Sequence, residues 1–146
     1  MKDVKLGKHF YLSEFCRSEW AARRGIVIEP PPHIVNNLRA LVVNVLDPLR
    51  AEIGPIHVTS GYRPVVVNEG IGGSRTSQHV MGQAADIVSH RMPVRQVFDT
   101  IRRMQLPFDQ VIEEFGHWTH VSYGPRRRGQ ALVARHLNGA ARYTIA

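Results

Sequence analysis

Two side chains that can bind a metal, His79 and Asp86, lie seven positions apart in the segment Ser77-Gln-His-Val-Met-Gly-Gln-Ala-Ala-Asp. A neutral imidazole and a carboxylate suit zinc, which takes histidine nitrogen and aspartate oxygen in a tetrahedral shell. A third ligand is available at His120, within Trp-Thr-His-Val-Ser. Two histidines and one aspartate leave the fourth zinc position open for water, as in catalytic rather than structural zinc sites. The spacing therefore predicts a zinc hydrolase.

These residue types can bind zinc at neutral pH at little cost. Aspartate and histidine side chains ordinarily have pKa values of about 3.9 and about 6.5, so both are readily deprotonated near pH 7. The alternative is a buried polar cluster that binds no metal. One aspartate and two histidines interspersed with glycine and alanine rarely arise for packing alone, so we favour the metal site.

The motifs occur in an order that resembles a known family. Ser-x-His-x-x-Gly-x-Ala-x-Asp is preceded by Ser60-Gly-Tyr-Arg63 and followed by Trp-x-His-x-Ser. The set resembles the zinc D-alanyl-D-alanine carboxypeptidases, which group with the L-alanyl-D-glutamate endopeptidases of phage endolysins and, more distantly, with lysostaphin-type enzymes and the hedgehog signalling domain. The resemblance runs from about Phe10 to the C-terminus and looks closest to small single-domain peptidases of phages and prophages. It implies Zn²⁺ as cofactor and the peptidoglycan stem peptide as substrate.

The resemblance also implies two substrate-binding residues. Arg63 matches the family's substrate-binding arginine, and its fork of donors suits a substrate carboxylate or the oxyanion of a tetrahedral intermediate. Ser77 matches a position near the substrate. The alternatives are a solvated arginine at position 63 and a hydroxyl that only caps a turn at position 77.

The general base departs from the family pattern. In the better-known relatives an acidic residue lies three positions before the last histidine ligand, and here that position holds His117. If residues 115–117 form a three-residue hairpin loop, Glu114 points to the same side as His120; with a two-residue loop, Glu113 does so instead. We favour Glu114, because the run Glu-Phe-Gly-x-Trp-x-His resembles that of phage relatives. His117 could itself act as the base or stabilise the oxyanion.

The surrounding sequence predicts an α+β fold, with helices packed on a mostly antiparallel sheet that carries the zinc site, as in hedgehog and DD-peptidase relatives. Apolar residues recur at helical spacing from His33 to about Ile53, and Pro48 predicts a kink there. Ser13 is expected to cap a helix, and the glycine-containing stretch 65–76 predicts a loop. The remaining predicted elements are strands at 56–60 and 84–88, a helix at 93–104, and hairpins of 109–115 with 118–123 and of 130–135 with 142–145, the second turning near 138–139.

Length and composition indicate one domain over residues 1–146 and, we expect, a monomer. Cys16 is the only cysteine, so no internal disulfide is expected, and we expect a half-buried residue rather than a ligand. The first nine residues lack the apolar core of a signal peptide, and no stretch approaches the roughly 18 apolar residues of a membrane span. We therefore expect synthesis in the cytoplasm and access to the wall through a separate membrane-permeabilising protein or as a virion component.

The chain is basic, with 19 Lys and Arg against 12 Asp and Glu. Such a surplus favours polyanionic partners, but no nucleic-acid-binding signature accompanies it, so we expect no nucleic-acid function. The run Arg126-Arg-Arg128 is expected to be a solvated turn, with electrostatic contact to an anionic envelope as the alternative. His57 is expected on a strand surface rather than at the metal.

The leading functional hypothesis is a zinc-dependent peptidoglycan peptidase that cleaves the stem peptide, as a D,D-carboxypeptidase or an L-Ala-D-Glu endopeptidase, in a phage or prophage endolysin. The alternative is a non-catalytic, zinc-containing module that binds the cell wall, as the hedgehog relative suggests. Arg63, Glu114 and the open zinc position argue against that alternative.

Overall fold

The computed structural model describes residues 3–146. Residues 1 and 2, which begin the segment where no signal peptide is expected, lie outside the described residues. The helices are α1 (Glu19–Arg23), α2 (Pro32–Leu41), α3 (Asp47–Ile53), α4 (Val65–Gly70) and α5 (Val94–Arg103). The strands are β1 (Ile56–Ser60), β2 (Ala84–Ser89), β3 (Gln110–Glu114), β4 (Trp118–Ser122), β5 (Gln130–Leu137) and β6 (Ala140–Ile145). Between residues 3 and 146, no helix is long and apolar enough to cross a bilayer.

The six strands form one sheet in the order β1-β2-β4-β3-β5-β6. Neighbouring strands are antiparallel except β3 and β5, which run parallel. Because side chains alternate along a strand, the sheet has two different faces. Val111, Val121 and Ile87 are fully buried in the core, where α5 packs on β2, β3 and β4. Their neighbours His120 and Asp86 belong to the opposite face. The predicted α+β fold with a mostly antiparallel sheet is confirmed.

The most regular apolar pattern forms the longest helical region, which runs from Pro32 to Ile53. Residues Val42–Leu46 within it adopt a π-helical turn, just before Pro48. Proline has no backbone N–H and clashes with the preceding turn, so a local widening of the helix accommodates it. The predicted helix and its irregularity at Pro48 are confirmed.

Two local predictions are wrong. Ser13 does not cap a helix, because its hydroxyl donates to Asp3 while Tyr11 occupies the cap of a short 3-10 segment, Leu12–Phe15. The predicted loop at 65–76 contains α4, whose last residue, Gly70, packs against the Trp20 ring so closely that a Cβ there would lie 2.0 Å from a ring carbon. The glycines of segment 65–76 therefore serve the close packing of Gly70 on Trp20 as well as loop geometry.

Both predicted hairpins are confirmed, and their registers follow from their turns. Glu114 pairs with Trp118 across β3 and β4, so the loop has three residues, with Phe115 and Gly116 at φ of 59° and 73°. In the β5–β6 hairpin, Asn138 and Gly139 have φ of 53° and 77°. Two consecutive residues with positive φ are typical of the type I′ turn that Asn-Gly favours.

Candidate metal centre and cleft

One imidazole nitrogen each from His79 and His120, and one carboxylate oxygen of Asp86, lie within 4.8 Å of one another. Asp86 on β2 and His120 on β4 are direct partners in the antiparallel ladder, so the pairing itself places them side by side. Asp86 Oδ1 lies 3.0 Å from His120 Nδ1 and 3.3 Å from His79 Nε2. The structure thus brings all three predicted ligands together.

His79 comes from the 3-10 segment Gln78–Met81 rather than from a strand. Its Nδ1 lies 2.7 Å from the carbonyl oxygen of Gly61. A carbonyl oxygen only accepts, so Nδ1 carries the proton and Nε2 presents its lone pair towards Asp86. Glycine at position 61 lets this backbone pack closely on Phe15, since a Cβ there would lie 2.6 Å from the Phe15 Cα. A backbone carbonyl that orients a ligating histidine is a common outer-shell contact in metal sites.

The geometry fits zinc. Tetrahedral zinc with ligand bonds of about 2.0–2.2 Å separates its ligand atoms by roughly 3.3–3.6 Å. The separations from Asp86 Oδ1 to His79 Nε2 and His120 Nδ1, 3.3 Å and 3.0 Å, lie close to that range. Two imidazoles and one carboxylate are also the donor set of a catalytic zinc site with one position left for water. The three residues could therefore hold a zinc ion without rearrangement of the strands.

Burial and mutual contact shift the pKa values of the three groups in different directions. Burial lowers the pKa of His79, although the Asp86 charge opposes it. Burial also disfavours the charged form of His120, but the hydrogen bond to Asp86 outweighs it and raises the pKa of His120. Burial would raise the pKa of Asp86, but the neighbouring His79 and the hydrogen bond from His120 outweigh it and lower that pKa. Asp86 is thus held as a carboxylate, the state that a metal requires.

Arg63 lies beside this cluster, in the loop after β1. Its backbone N–H donates to the His79 carbonyl oxygen at 3.1 Å, which ties the two segments together. Burial lowers the pKa of Arg63, while the nearby carboxylates of Asp86 and Glu114 oppose the shift. Its Nε is buried and has no hydrogen-bond partner within residues 3–146. A buried donor left without a partner costs free energy, so it is available to an oxygen of a bound molecule.

Glu114 lies on the same side of the sheet as the cluster, with Oε1 3.6 Å from His120 Nδ1. Burial raises the pKa of Glu114, and the charge of Asp86 adds to this effect. The three-residue loop therefore places the side chain where the sequence predicted it for that register.

The other two candidate bases lie elsewhere. Glu113 points to the opposite face, where Arg135 donates to both of its carboxylate oxygens. The register thus excludes the alternative in which Glu113 faces the cluster. His117 is exposed in the hairpin loop and does not line the cleft that contains the cluster. Its predicted role as a base or oxyanion donor finds no support in its position.

Ser77 lines the same cleft and also caps a turn, since its hydroxyl accepts from the His79 backbone N–H at 3.2 Å. Both interpretations of this residue are thus compatible with its position. His57 is exposed on β1, and Cys16 is half-buried, as expected. Burial raises the pKa of the Cys16 thiol to about 11.

The cleft follows β3 over its full length. Gln110, Ile112 and Glu114 alternate along its floor, and Ile112 is the ladder partner of His120. The far wall comes from the C-terminal part of the chain, which contributes four residues that the sequence did not indicate as cleft residues: Arg126, Arg128, Leu132 and Tyr143. They could not be found from sequence because the parallel pairing of β3 with β5, which brings them there, leaves no local signal.

The arginine run is exposed, as predicted, although two of its three side chains also form hydrogen bonds with the protein. Arg128 donates to both carboxylate oxygens of Asp109, at 2.8 and 2.9 Å, and Asp109 is fully buried. Arg127 donates to the Gly124 carbonyl oxygen and lies over the Tyr123 ring at 4.5 Å. Burial alone would raise the pKa of Asp109, but the hydrogen bonds from Arg128 outweigh it and lower the value to about 2.

Comparison with known families agrees with this geometry. The family model for peptidase M15 matches residues 8–122, which include every residue of the His-Asp-His cluster, Arg63 and Glu114. No curated protein matches the chain. The match leaves residues 123–146 outside it, and these include the arginine run and the β5–β6 hairpin. The chain belongs to the peptidase M15 family and is a zinc metallopeptidase.

Proposed function

We propose that this enzyme is a peptidoglycan peptidase whose zinc is ligated by His79, Asp86 and His120. One observation carries the proposal. The cluster, a carboxylate at Glu114 and an unpaired buried donor on Arg63 all line one open cleft. These are the groups that metal-dependent peptide hydrolysis uses, namely a metal site, a proton acceptor and a donor for the developing oxyanion.

A zinc ion supplies Lewis-acid polarisation of the scissile carbonyl and acidifies water from a pKa of about 15.7 to about 7. The protein contributes the ligands in fixed positions. Asp86 and His120 are held by the β2–β4 ladder, and His79 is oriented by the Gly61 carbonyl. Because these contacts exist in the protein alone, little reorganisation is needed when the metal binds.

Glu114 acts as the general base. It accepts a proton from the attacking water as the water oxygen bonds to the scissile carbonyl carbon, and then gives that proton to the amine nitrogen as the C–N bond breaks. Arg63 donates to the carbonyl oxygen as negative charge develops there, or to a substrate carboxylate nearby. Ser77 lies at the cleft wall, where its oxygen can contact the substrate.

The substrate that we propose is the stem peptide, cut either between L-alanine and D-glutamate or between the two terminal D-alanines. The resemblance to phage and prophage enzymes supports an endolysin role, with access to the wall through a separate permeabilising protein or as a virion component. We further propose that residues 1–146 act as one monomeric domain. One continuous core, which extends from Leu6 to Tyr123, supports the single domain.

The test is digestion of purified wall sacculi. Zinc-loaded protein should release soluble fragments with new amino and carboxyl termini, and a chelator should stop the release until zinc is restored. Sequencing the new termini identifies the bond. Binding to sacculi without any new termini would contradict the proposal and favour the non-catalytic wall-binding module.

A further inference from the structure

The part of the cleft formed by residues after position 122 contains a positive charge that the protein does not neutralise. Arg126 and Arg128 both line the cleft, and both approach the same buried carboxylate, Asp109. Two guanidinium groups therefore share one negative charge. The guanidinium that Asp109 does not neutralise determines what this end of the cleft can bind.

The hydrogen bonds assign the Asp109 charge to Arg128. Oδ1 of Asp109 accepts from the backbone N–H and Nε of Arg128, at 3.0 and 2.8 Å. Oδ2 accepts from Arg128 Nη2 at 2.9 Å and from Gln78 Nε2 at 3.0 Å. Four hydrogen bonds fill the acceptor sites of a carboxylate.

Arg126 therefore has no acceptor left on Asp109. Its Nε lies 3.6 Å from Asp109 Oδ2, beyond hydrogen-bond distance, and within residues 3–146 it makes no side-chain hydrogen bond. Its side chain is 65% exposed, on the cleft wall. A guanidinium whose five donors lack partners is suited to an anionic group, above all to a carboxylate.

The strand register gives an approximate distance, counted along β3, between this end of the cleft and the reacting centre. Arg126 and Arg128 lie at the Gln110 end of β3, because Asp109 directly precedes that strand. Ile112, the partner of His120, is two residues along the same strand, or about 7 Å. An extended peptide spans at most about 3.3–3.6 Å per residue. A group bound by Arg126 therefore belongs to a residue within about one or two positions of the scissile bond.

We propose that Arg126 is a specificity-determining residue that binds a carboxylate of an acidic substrate peptide at this end of the cleft. The proposal rests on the peptidase activity proposed above and adds a chemical requirement to it. In a stem peptide that is cut between L-alanine and D-glutamate, the fitting group is the free α-carboxylate of D-glutamate, which adjoins the scissile bond and which amidation would leave uncharged. Arg128 serves as a positioning residue, since its pairing with Asp109 holds the segment against the cleft.

The experiment compares two peptides that differ by one group. L-Ala-γ-D-Glu-L-Lys-D-Ala-D-Ala is offered with the glutamate α-carboxyl free or amidated, and it contains both candidate bonds. For cleavage at the L-Ala–D-Glu bond, we expect the wild-type enzyme to favour the free acid by about 10-fold in kcat/KM, the lower end for a charge-assisted hydrogen bond, because Arg126 is partly exposed. High salt should reduce the ratio.

Three variants decide the assignment. Arg126→Gln should bring the ratio of acid to amide close to one, and Arg126→Glu should favour the amide. Arg127→Gln removes the same charge one residue away, from a side chain that packs on Tyr123 outside the cleft, and should keep the wild-type preference. An Arg126→Gln enzyme that still prefers the acid, or an Arg127→Gln enzyme that loses the preference equally, would overturn the proposal.

A binding measurement separates this proposal from the proposed activity. If neither peptide is cut, the peptidase proposal fails, and calorimetric titration of the same pair into zinc-loaded protein tests Arg126 alone. Tighter binding of the acid to wild type than to Arg126→Gln supports the subsite. Equal affinity for acid and amide, or binding of neither, refutes it. Cleavage without discrimination refutes the subsite and leaves the peptidase intact.

Discussion

Two of the buried aspartates, Asp86 and Asp109, have opposite surroundings. Asp109 accepts four hydrogen bonds from Arg128 and Gln78, so protein donors fill the acceptor sites of its carboxylate. Asp86 lies between two imidazoles and acts electrostatically on the Arg63 guanidinium, whose buried Nε has no partner within residues 3–146. Buried polar groups are normally satisfied, so an incomplete set marks a place where something else binds. The comparison indicates that Asp109 stabilises the fold and Asp86 serves the chemistry.

The largest effect should follow removal of a metal ligand. His120→Ala should lose most of its zinc and reduce wall-degrading activity to the level of the chelated enzyme, because two ligands cannot hold zinc as three do. Zinc content by elemental analysis is the measurement. His57→Ala, which removes an exposed histidine on the neighbouring part of the sheet, should retain one zinc. A full equivalent of zinc in His120→Ala would contradict the assignment.

The next effect concerns the base. Glu114→Gln keeps the size of the side chain but removes the proton acceptor, so it should lower kcat by roughly 100- to 10,000-fold with zinc retained. His117→Ala should cost far less, since His117 is exposed and outside the cleft. Steady-state kinetics with a stem peptide measures both. A nearly inactive His117→Ala beside a normal Glu114→Gln would reverse the two roles.

Arg63 should have a smaller effect on the same reaction. Arg63→Ala should retain zinc and thermal stability but reduce kcat/KM by about 100-fold, the usual cost of losing one oxyanion donor. Arg24→Ala, which removes a surface arginine that lies over the Trp20 ring, is the charge-matched control. Unchanged turnover in Arg63→Ala would show that its unpaired donor has no part in catalysis.

The smallest effect on chemistry, and a clear effect on stability, is expected at Asp109. Asp109→Asn should retain zinc but lower the free energy of unfolding by about 1–3 kcal/mol, because hydrogen bonds to a charged partner are weakened while Arg128 stays partly in water. Asp99→Asn, which breaks only the exposed pair with Arg95, should change stability by less than about 1 kcal/mol. Loss of zinc in Asp109→Asn would remove the distinction between the two aspartates.

The same variant makes a prediction about pH. The pKa of Asp109 falls from its ordinary 3.8 to about 2 in the folded protein. Its stabilising effect is therefore complete above pH 4 and is lost as the pH falls towards 2. The difference in unfolding free energy between wild type and Asp109→Asn should close over that interval. A constant difference down to pH 2 would contradict the role assigned to the Asp109 charge.

The sequence was most informative where function and local geometry coincide. The spacing of His79 and Asp86 indicates a metal site because both lie in one short segment, and a three-residue hairpin loop is enough to place Glu114 on the same side. The helical region that ends at Ile53 was clear from its apolar period.

What the sequence concealed depends on long-range pairing. The parallel alignment of β3 with β5 brings Tyr143 and Leu132 to the cleft, and no local pattern encodes which strands become neighbours. The pairing of Arg128 with Asp109 could not be predicted for the same reason, since the two residues are brought together by the sheet and not by a local motif. Ser13 does not act as a cap, because its hydroxyl donates a hydrogen bond to Asp3, which lies ten positions earlier.

The contact between Gly61 and Phe15 has a thermodynamic consequence. The Tyr62 N–H donates to the Phe15 carbonyl oxygen at 2.7 Å, so the N-terminal 3-10 segment and the Gly61 carbonyl that orients His79 are fixed together. Zinc binding and the docking of this segment are therefore thermodynamically coupled. Because zinc favours whichever conformation binds it more tightly, it stabilises the docked conformation. Loosening the N-terminus should weaken zinc affinity although no ligand is touched, and zinc in turn should protect the N-terminus from proteolysis.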